Sequence, residues 1–128
     1  MRHARSEPTV RLHLWLETDQ GVFFGLGRLQ LLQDIQSGSS LKGAADRLGM
    51  SYRAAWGKIK ATEEALGRSL LHRSRGRRGF SLTPEAEDIM QAFDQLFTEI
   101  EDYAHKRAEA VFPWRTEKYG SCEWDKSE

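Results

Sequence analysis

The chain has 128 residues, of which 39% are hydrophobic and 10% aromatic. This length suits one domain with an extension, and the apolar content excludes a fully disordered chain. No apolar run approaches the roughly 20 residues of a membrane-spanning helix, and the basic start lacks the apolar stretch of a signal peptide. The single Cys122 excludes an internal disulfide. We therefore expect a cytoplasmic protein that makes no membrane contact.

The zero net charge conceals two halves of opposite sign. Residues 1–82 contain 14 Lys and Arg against 7 Asp and Glu, whereas residues 83–128 contain 5 against 12. Within residues 51–82 the balance is 8 basic to 2 acidic residues. A solvated basic surface without a partner can explain the charge of the first half when it is spread over all 82 residues. The concentration of charge in 51–82 instead indicates contact with a polyanion.

The N-terminal part carries the signals of two strands. In "VRLHLWLET", residues 10–18, apolar and polar side chains alternate, which is the period of a half-buried strand. "DQG" follows as a turn signal, and "VFFG" is predicted to return as a short second strand. A small antiparallel hairpin is therefore expected before the first helix.

Three helices are predicted next. The first begins at Leu26 and ends at "SGSS", residues 37–40. The second covers 41–49, and the third runs from an N-cap at Ser51 to about Leu66, where Gly67 stops it. Two short helices joined by a glycine-containing turn form a helix-turn-helix pattern.

The remainder predicts a hairpin and a long helix. "SLLHRS", "RGRRG" and "FSLT" indicate two strands around an exposed basic tip. Thr83 is a strong N-cap for a helix that continues to Phe112, before Pro113. The helix carries an apolar stripe at 4-3-4-3 spacing, which favours a neighbouring helix. The stripe residues predicted to form a dimer interface are Phe93, Leu96, Phe97, Ile100, Tyr103 and Ala104.

The predicted 51–66 helix has two faces. At about 100° per residue, Ala55, Ile59, Thr62 and Leu66 form a buried stripe. The opposite face combines hydrogen-bond donors with one large aromatic ring and a gap left by a glycine. Its members are Arg53, Trp56, Gly57 and Lys60, with Tyr52 beside the first turn.

Such a face fits the major groove of double-stranded DNA. Arg53 can donate two hydrogen bonds to guanine, and Lys60 suits a phosphate. Trp56 either contacts DNA or packs against a neighbouring element, and Tyr52 either bonds a phosphate or shields the turn. The hairpin tip supplies cations for the backbone or the minor groove, namely Arg73, Arg75, Arg77 and Arg78.

The stretch "LKGAADRLGMSYRAAWGKIKATEEALGRSLLHRSRGRRGFSLTPEA", residues 41–86, resembles the winged helix-turn-helix domain of ModE-type molybdate-responsive regulators. "GMSYRAAW" and "LLHRS…G…SLTPEA" are its most specific parts, and the similarity extends over about residues 10–112. LysR-type regulators share a more distant version of the pattern. The resemblance implies a mainly α winged helix-turn-helix fold with a small β component and a long C-terminal dimerisation helix.

The resemblance also implies a function and a set of residues. ModE-like proteins bind operator DNA as homodimers through this domain, with Ser51, Tyr52, Arg53, Trp56 and Lys60 on the recognition helix. Full ModE regulators continue into domains that bind molybdate or tungstate. Too few residues follow position 112 for such a domain, so we expect no cofactor and no direct molybdate sensing by this chain.

The sequence thus predicts four regions: a flexible N-terminus at 1–9, a DNA-binding domain at 10–82, a dimerisation helix at 83–112 and a flexible polar tail at 113–128. A DNA-binding transcriptional regulator is the leading hypothesis. The alternative is a winged-helix module that binds a protein partner through the aromatic and basic helix face or the long helix. An enzyme is not expected, because the sequence has no catalytic or metal-ligand spacing.

Overall fold

The computed structural model describes residues 8–73, 79–114 and 117–118. These residues belong to two compact units. One unit runs from Leu14 to Asp94. The other contains the described residues up to His13 and those from Gln95 onwards. Along the chain lie β1 (Thr9–Val10), β2 (Trp15–Thr18), β3 (Gly21–Gly25), α1 (Leu26–Gln36), α2 (Leu41–Arg47), α3 (Tyr52–Leu66), β4 (Leu71–Arg73), β5 (Phe80–Leu82), α4 (Pro84–Val111) and β6 (Glu117–Lys118).

The single strand predicted over 10–18 is two strands in the structure. β1 pairs in parallel with β6, whereas β2 pairs antiparallel with β3, with a register irregularity between Leu16 and Glu17. Residues 11–14 lie between the two strands and belong to neither. The alternation of apolar residues was visible in the sequence, but it does not specify where a hydrogen-bonding partner is available.

The core of the Leu14–Asp94 unit lies where α1, α2 and α3 meet β3. Leu31 and Leu32 of α1 are fully buried, as is Phe24 of β3. The Phe24 ring makes an edge-to-face contact with Phe93 of α4, with 5.2 Å between ring centres. Phe93 itself is 2% exposed. Its assignment to a dimer interface is therefore corrected, because the side chain is already enclosed in the core of its own unit.

The second unit contains β1, β6 and the part of α4 that follows Asp94. Thr9 is the register partner of Glu117, and Val10 that of Lys118. Thr9 lies in the segment 1–9, and Glu117 and Lys118 lie in the segment 113–128, both predicted to be flexible; the structure shows these three residues in strands. The other residues of the predicted 1–9 and 113–128 segments, apart from Pro8, Pro113 and Trp114, lie outside the described residues.

Candidate nucleic-acid interface

The connection between α2 and α3 is built from a glycine and a serine. Gly49 adopts a φ of 74°, a left-handed conformation that side chains disfavour. Two residues later the Ser51 hydroxyl accepts a hydrogen bond from the Ala54 N–H at 3.0 Å and caps α3. At its other end α3 stops at Gly67, whose φ is 67°. Local chemistry thus fixes both ends of the helix, as the sequence predicted.

One face of α3 holds the helix to the core. Ala55, Ile59 and Thr62 are at most 1% exposed. The Thr62 hydroxyl donates a hydrogen bond to the Phe23 carbonyl of β3. Because a buried hydroxyl needs a partner, this bond ties the rotation of α3 to the N-terminal hairpin. The sequence indicated that Thr62 would be buried but gave no sign of this partner.

The opposite face of α3 is open to solvent. Arg53, Gly57 and Lys60 are all exposed. A Cβ atom added to Gly57 would meet no atom of the described residues within 4 Å. No neighbour in the described part of the chain therefore requires a glycine here. The gap that the sequence predicted between two basic side chains is present on the surface.

Three aromatic rings form a cluster at one edge of this face, and we call Tyr52, Trp56 and Phe80 the aromatic cluster. Trp56 lies edge-to-face on Phe80 of β5, with 5.1 Å between ring centres and 86° between planes. Tyr52 lies at 6.3 Å and 88° from Trp56 and is 46% exposed. Trp56 is half-buried. Packing against a neighbouring element, one of the two alternatives for Trp56, is thus what the structure shows.

Two cations lie on this cluster. Lys60 Nζ is 5.3 Å from the centre of the Trp56 ring, and the Arg73 guanidinium carbon is 5.3 Å from that of Phe80. Both geometries are within the range of cation–π attraction. Lys60 Nζ also lies 3.3 Å from a carboxylate oxygen of Glu63. Because the Lys60 side chain is 66% exposed, this ion pair leaves its charge available to an external anion.

The predicted hairpin is formed by β4 and β5. Leu71 pairs with Leu82, His72 with Ser81 and Arg73 with Phe80. The Ser81 hydroxyl lies 3.2 Å from His72 Nε2. Arg75, Arg77 and Arg78 fall between these strands and lie outside the described residues. Their assignment to a DNA contact remains a prediction.

Thr83 joins the base of this hairpin to α4. Its hydroxyl donates to the Ser69 carbonyl at 2.7 Å and accepts from the Ala86 N–H at 3.1 Å. Its own N–H donates to the Leu70 carbonyl at 2.9 Å. The sequence predicted Thr83 only as a helix cap, because the partners at 69 and 70 are distant in the chain.

Arg28 of α1 is hydrogen-bonded to the N-terminal hairpin and is not part of the exposed face of α3. Its Nη1 donates to the Val22 carbonyl of β3 at 2.9 Å. Partial burial lowers the pKa of the Arg28 guanidinium, although an arginine remains protonated at neutral pH.

A family model for the bacterial regulatory helix-turn-helix proteins of the lysR family matches residues 26–87. Residues 26–87, just under half of the chain, are thus similar to the helix-turn-helix domain of this family. The matched range contains α1, α2 and α3, the two strands β4 and β5 that form the wing, and the first turn of α4. Ser51, the exposed face of α3 and the aromatic cluster all lie within the matched range.

The chain is also similar to the transcriptional regulator ModE of Haemophilus influenzae, with 34% identity over 86 residues. The match covers 65% of this chain and 34% of that regulator, so the chain spans about a third of the length of this relative. The resemblance to ModE-type and LysR-type regulators that the sequence predicted is thereby confirmed.

Solved structures are similar in fold to this chain. The BenM_DBD/catB site 1 DNA complex has 26% identity and a TM-score of 0.52, covering 68% of this chain and 92% of that chain. The CbnR_DBD–DNA complex has 24% identity and a TM-score of 0.54, covering 69% and 98%. The predicted winged helix-turn-helix fold is confirmed by these similarities.

Beyond the matched range 26–87, α4 exposes apolar side chains along its later turns. Leu96 is 41% exposed, Ile100 36% and Tyr103 66%. Phe97 and Ala104 are half-buried. Five of the six residues predicted for a dimer interface thus retain accessible surface, and Phe93 does not.

Within residues 8–73, 79–114 and 117–118, no group of three or more His, Cys, Asp or Glu side chains could hold a metal ion. Over the same residues, none of the helices combines the length and apolar character needed to span a membrane. The prediction that the chain needs no cofactor stays a prediction.

Proposed function

We propose that this chain is a sequence-specific, double-stranded DNA-binding transcriptional regulator that acts as a homodimer in the cytoplasm. In this proposal α3 enters the major groove, and the β4–β5 wing contacts the backbone or the minor groove. The observation that carries the proposal is the division of α3 into a buried face and an exposed basic face, within the residues that match the lysR family model. The similar BenM and CbnR domains were solved in complexes with DNA.

Arg53 is the side chain best placed to read a base. It is exposed in the first turn of α3, and N-terminal side chains of a recognition helix reach base edges in the major groove. Its guanidinium can donate to O6 and N7 of one guanine, a pattern that distinguishes this base pair from the others. We assign base recognition to Arg53, and helix positioning at the phosphates to Ser51 and Tyr52.

Lys60 and Arg73 supply sequence-independent attraction in this proposal. Each is exposed, and each is held near an aromatic ring at the edge of the exposed α3 face. Contacts between such cations and phosphates release counterions, so binding should weaken as salt rises. Arg75, Arg77 and Arg78 are proposed to add to this sequence-independent attraction from the wing tip.

The homodimer is proposed to form through the later turns of α4. Burying an apolar side chain of this size contributes about 1.5–3 kcal/mol. The five proposed contact residues are Leu96, Phe97, Ile100, Tyr103 and Ala104. A two-fold dimer would present two copies of α3 to related half-sites, spaced by about 34 Å or a multiple of it.

Replacing Arg53 by Ala tests the assignment of base recognition. We expect a loss of about 1–3 kcal/mol at one base pair of the selected duplex and little change in affinity for unrelated duplexes. The measurement is fluorescence anisotropy with the best duplex from a random-sequence selection and with every single-base variant of it.

Arg68→Ala is the matched control for Arg53→Ala. Arg68 is also exposed but follows the opposite end of α3, a 15-residue helix that is about 22 Å long. If Arg53→Ala and Arg68→Ala weaken all duplexes equally, α3 does not read bases in the proposed orientation.

Gly57→Ala should separate stability from binding. We expect the free energy of unfolding to rise by up to about 1 kcal/mol, because alanine favours a helix and the new Cβ meets open space in the described structure. DNA affinity should fall, because the methyl group lies between Arg53 and Lys60 on the face proposed to meet the groove. Urea denaturation and anisotropy measure the two effects.

Ala65→Gly is the control for Gly57→Ala. Ala65 is exposed on α3 but lies two turns further on and about 80° away around the helix. The Ala65→Gly variant should lose about 1 kcal/mol of its free energy of unfolding, with little change in DNA affinity. Unchanged affinity in Gly57→Ala would show that DNA does not approach this backbone closely.

A protein-binding winged-helix module is the second candidate. The observation that favours it is the exposed Tyr52 ring beside Trp56, since aromatic side chains anchor protein interfaces. A gel shift with random genomic fragments at low salt distinguishes the two functions. Retarded fragments support DNA binding, and free fragments at all protein concentrations support the module.

A further inference from the structure

Three side chains lie along one edge of α3, between its buried face and its exposed face. At about 100° per residue, Tyr52, Trp56 and Glu63 fall within about 40° of one another around the helix axis. Trp56 contacts the β4–β5 hairpin itself. Glu63 contacts the residue that leads into the hairpin. This edge of α3 is therefore the side on which the wing is attached.

The first attachment is the contact between Trp56 and Phe80. The two rings meet edge-to-face at 5.1 Å, a favoured aromatic geometry. Phe80 begins β5 and is the register partner of Arg73, so it stands at the end of the hairpin ladder nearest the wing tip. A ring contact here restrains the wing where its described strands end.

The second attachment is at the base of the hairpin. A carboxylate oxygen of Glu63 accepts a hydrogen bond from the Leu70 N–H at 2.8 Å. Leu70 is fully buried, and its carbonyl accepts from the Thr83 N–H at 2.9 Å. Because the base is held independently of Trp56, losing the aromatic contact should change the direction of the wing without detaching it.

We propose that Trp56 is a positioning residue, whose contact with Phe80 fixes the wing relative to α3 so that the two bind DNA as one rigid surface. The proposal rests on the function proposed above and deepens it. Trp56 acts through Phe80 and through the cations on the two rings, Lys60 and Arg73. Its effect on DNA binding is thus on total affinity rather than on the choice of one base.

The cation geometry strengthens this interpretation. Lys60 lies over the Trp56 ring, and Arg73 lies over the Phe80 ring, each at 5.3 Å. The ring contact therefore links one cation of α3 to one cation of the wing. Separating the rings would change the distance between two charges proposed to meet phosphates.

A double-mutant cycle tests the proposal with Trp56→Ala, Phe80→Ala and the combined variant. The first readout is hydrogen exchange of the β4 and β5 amides in the free chain, where each single variant should lower protection. The second readout is DNA affinity. We expect each single variant to weaken all duplexes by about 2- to 10-fold, with the combined variant no weaker than the worse single one.

Two further variants keep the test independent of folding defects. Trp56→Phe retains an aromatic ring and should preserve most of the exchange protection if Trp56→Ala does not fold. Tyr52→Ala removes the outer member of the cluster, which has no ring contact with Phe80 among those observed. It should leave protection of β4 and β5 unchanged.

The outcomes distinguish three accounts. Losses that multiply in the combined variant, or unchanged exchange in both single variants, would overturn the positioning role. A loss confined to one base pair would overturn it in favour of direct base contact by Trp56. If the wild-type chain bound no duplex, the proposed function would fail together with this role in DNA binding, whereas failure of the cycle alone would leave the proposed function intact.

Discussion

Phe24→Ala should lower the free energy of unfolding by about 3–5 kcal/mol, a large part of the 5–15 kcal/mol typical of a domain. Phe24 is fully buried and lies edge-to-face with Phe93, which is 2% exposed. Removing the ring loses its burial and leaves a cavity beside Phe93 that the surrounding helices cannot fill without moving. Urea denaturation followed by circular dichroism measures the change.

Val22→Ala is the control for the Phe24 substitution. Val22 lies on the same strand but is 44% exposed, so its truncation should cost well under 1 kcal/mol. A loss below about 1 kcal/mol for Phe24→Ala would contradict the assignment of Phe24 and Phe93 to the core. It would also return Phe93 to the set of residues available for a partner.

The second large effect is expected on association. Replacing both Leu96 and Ile100 by Glu should raise the dissociation constant of the proposed dimer at least about 100-fold. Each substitution removes an apolar contact of about 1.5–3 kcal/mol and introduces a charge that repels its counterpart across the interface. Both side chains are exposed on α4 in the single chain. Sedimentation equilibrium at micromolar concentration measures the shift from dimer to monomer.

The matched control places the same two charges elsewhere on α4. Gln91 and Thr98 are exposed, and at about 100° per residue they lie on the side of the helix opposite Leu96 and Ile100. Gln91→Glu with Thr98→Glu should leave the dimer unchanged. A wild-type chain that sediments as a monomer, or a dimer unaffected by the Leu96 and Ile100 substitutions, would contradict the proposed interface.

Local signals made much of the fold predictable. Ser51 and Gly67 bound α3 as expected, because capping and left-handed termination depend on residues within one turn of the helix end. Thr83 and Pro84 likewise begin α4. The turn that ends at Gly21 joins β2 and β3 as predicted. Each of these features is decided by neighbours in sequence.

The features that were not predicted depend on distant partners. Phe93 fitted the apolar stripe of α4 equally well for a core or a dimer, and only the position of Phe24 decides between them. Trp56 could not be assigned because Phe80 lies 24 residues away in the sequence. The sequence analysis made no prediction for Glu63, although its bond to Leu70 ties α3 to the wing. Periodicity shows which face of an element is apolar but not what covers that face.

The candidate site was predictable to a similar degree. The exposed position of Arg53 and Lys60 follows from the helical period once the buried face of α3 is known. The attachment of the wing to that helix does not follow from the sequence, because it rests on tertiary contacts made by Trp56 and Glu63. In the proposed function, these contacts determine which basic side chains can meet one DNA molecule at the same time.

The exposed face of α3 is proposed to bind a specific DNA sequence. The most direct measurement is the affinity of the wild-type chain, across a salt series, for the duplex chosen in a random-sequence selection and for a scrambled duplex of equal length. We predict binding that weakens steeply with salt and a preference of at least about 1,000-fold for the selected duplex. Equal affinity for the two duplexes would contradict sequence-specific binding by α3. So would the absence of binding to either duplex at low salt, about 50 mM.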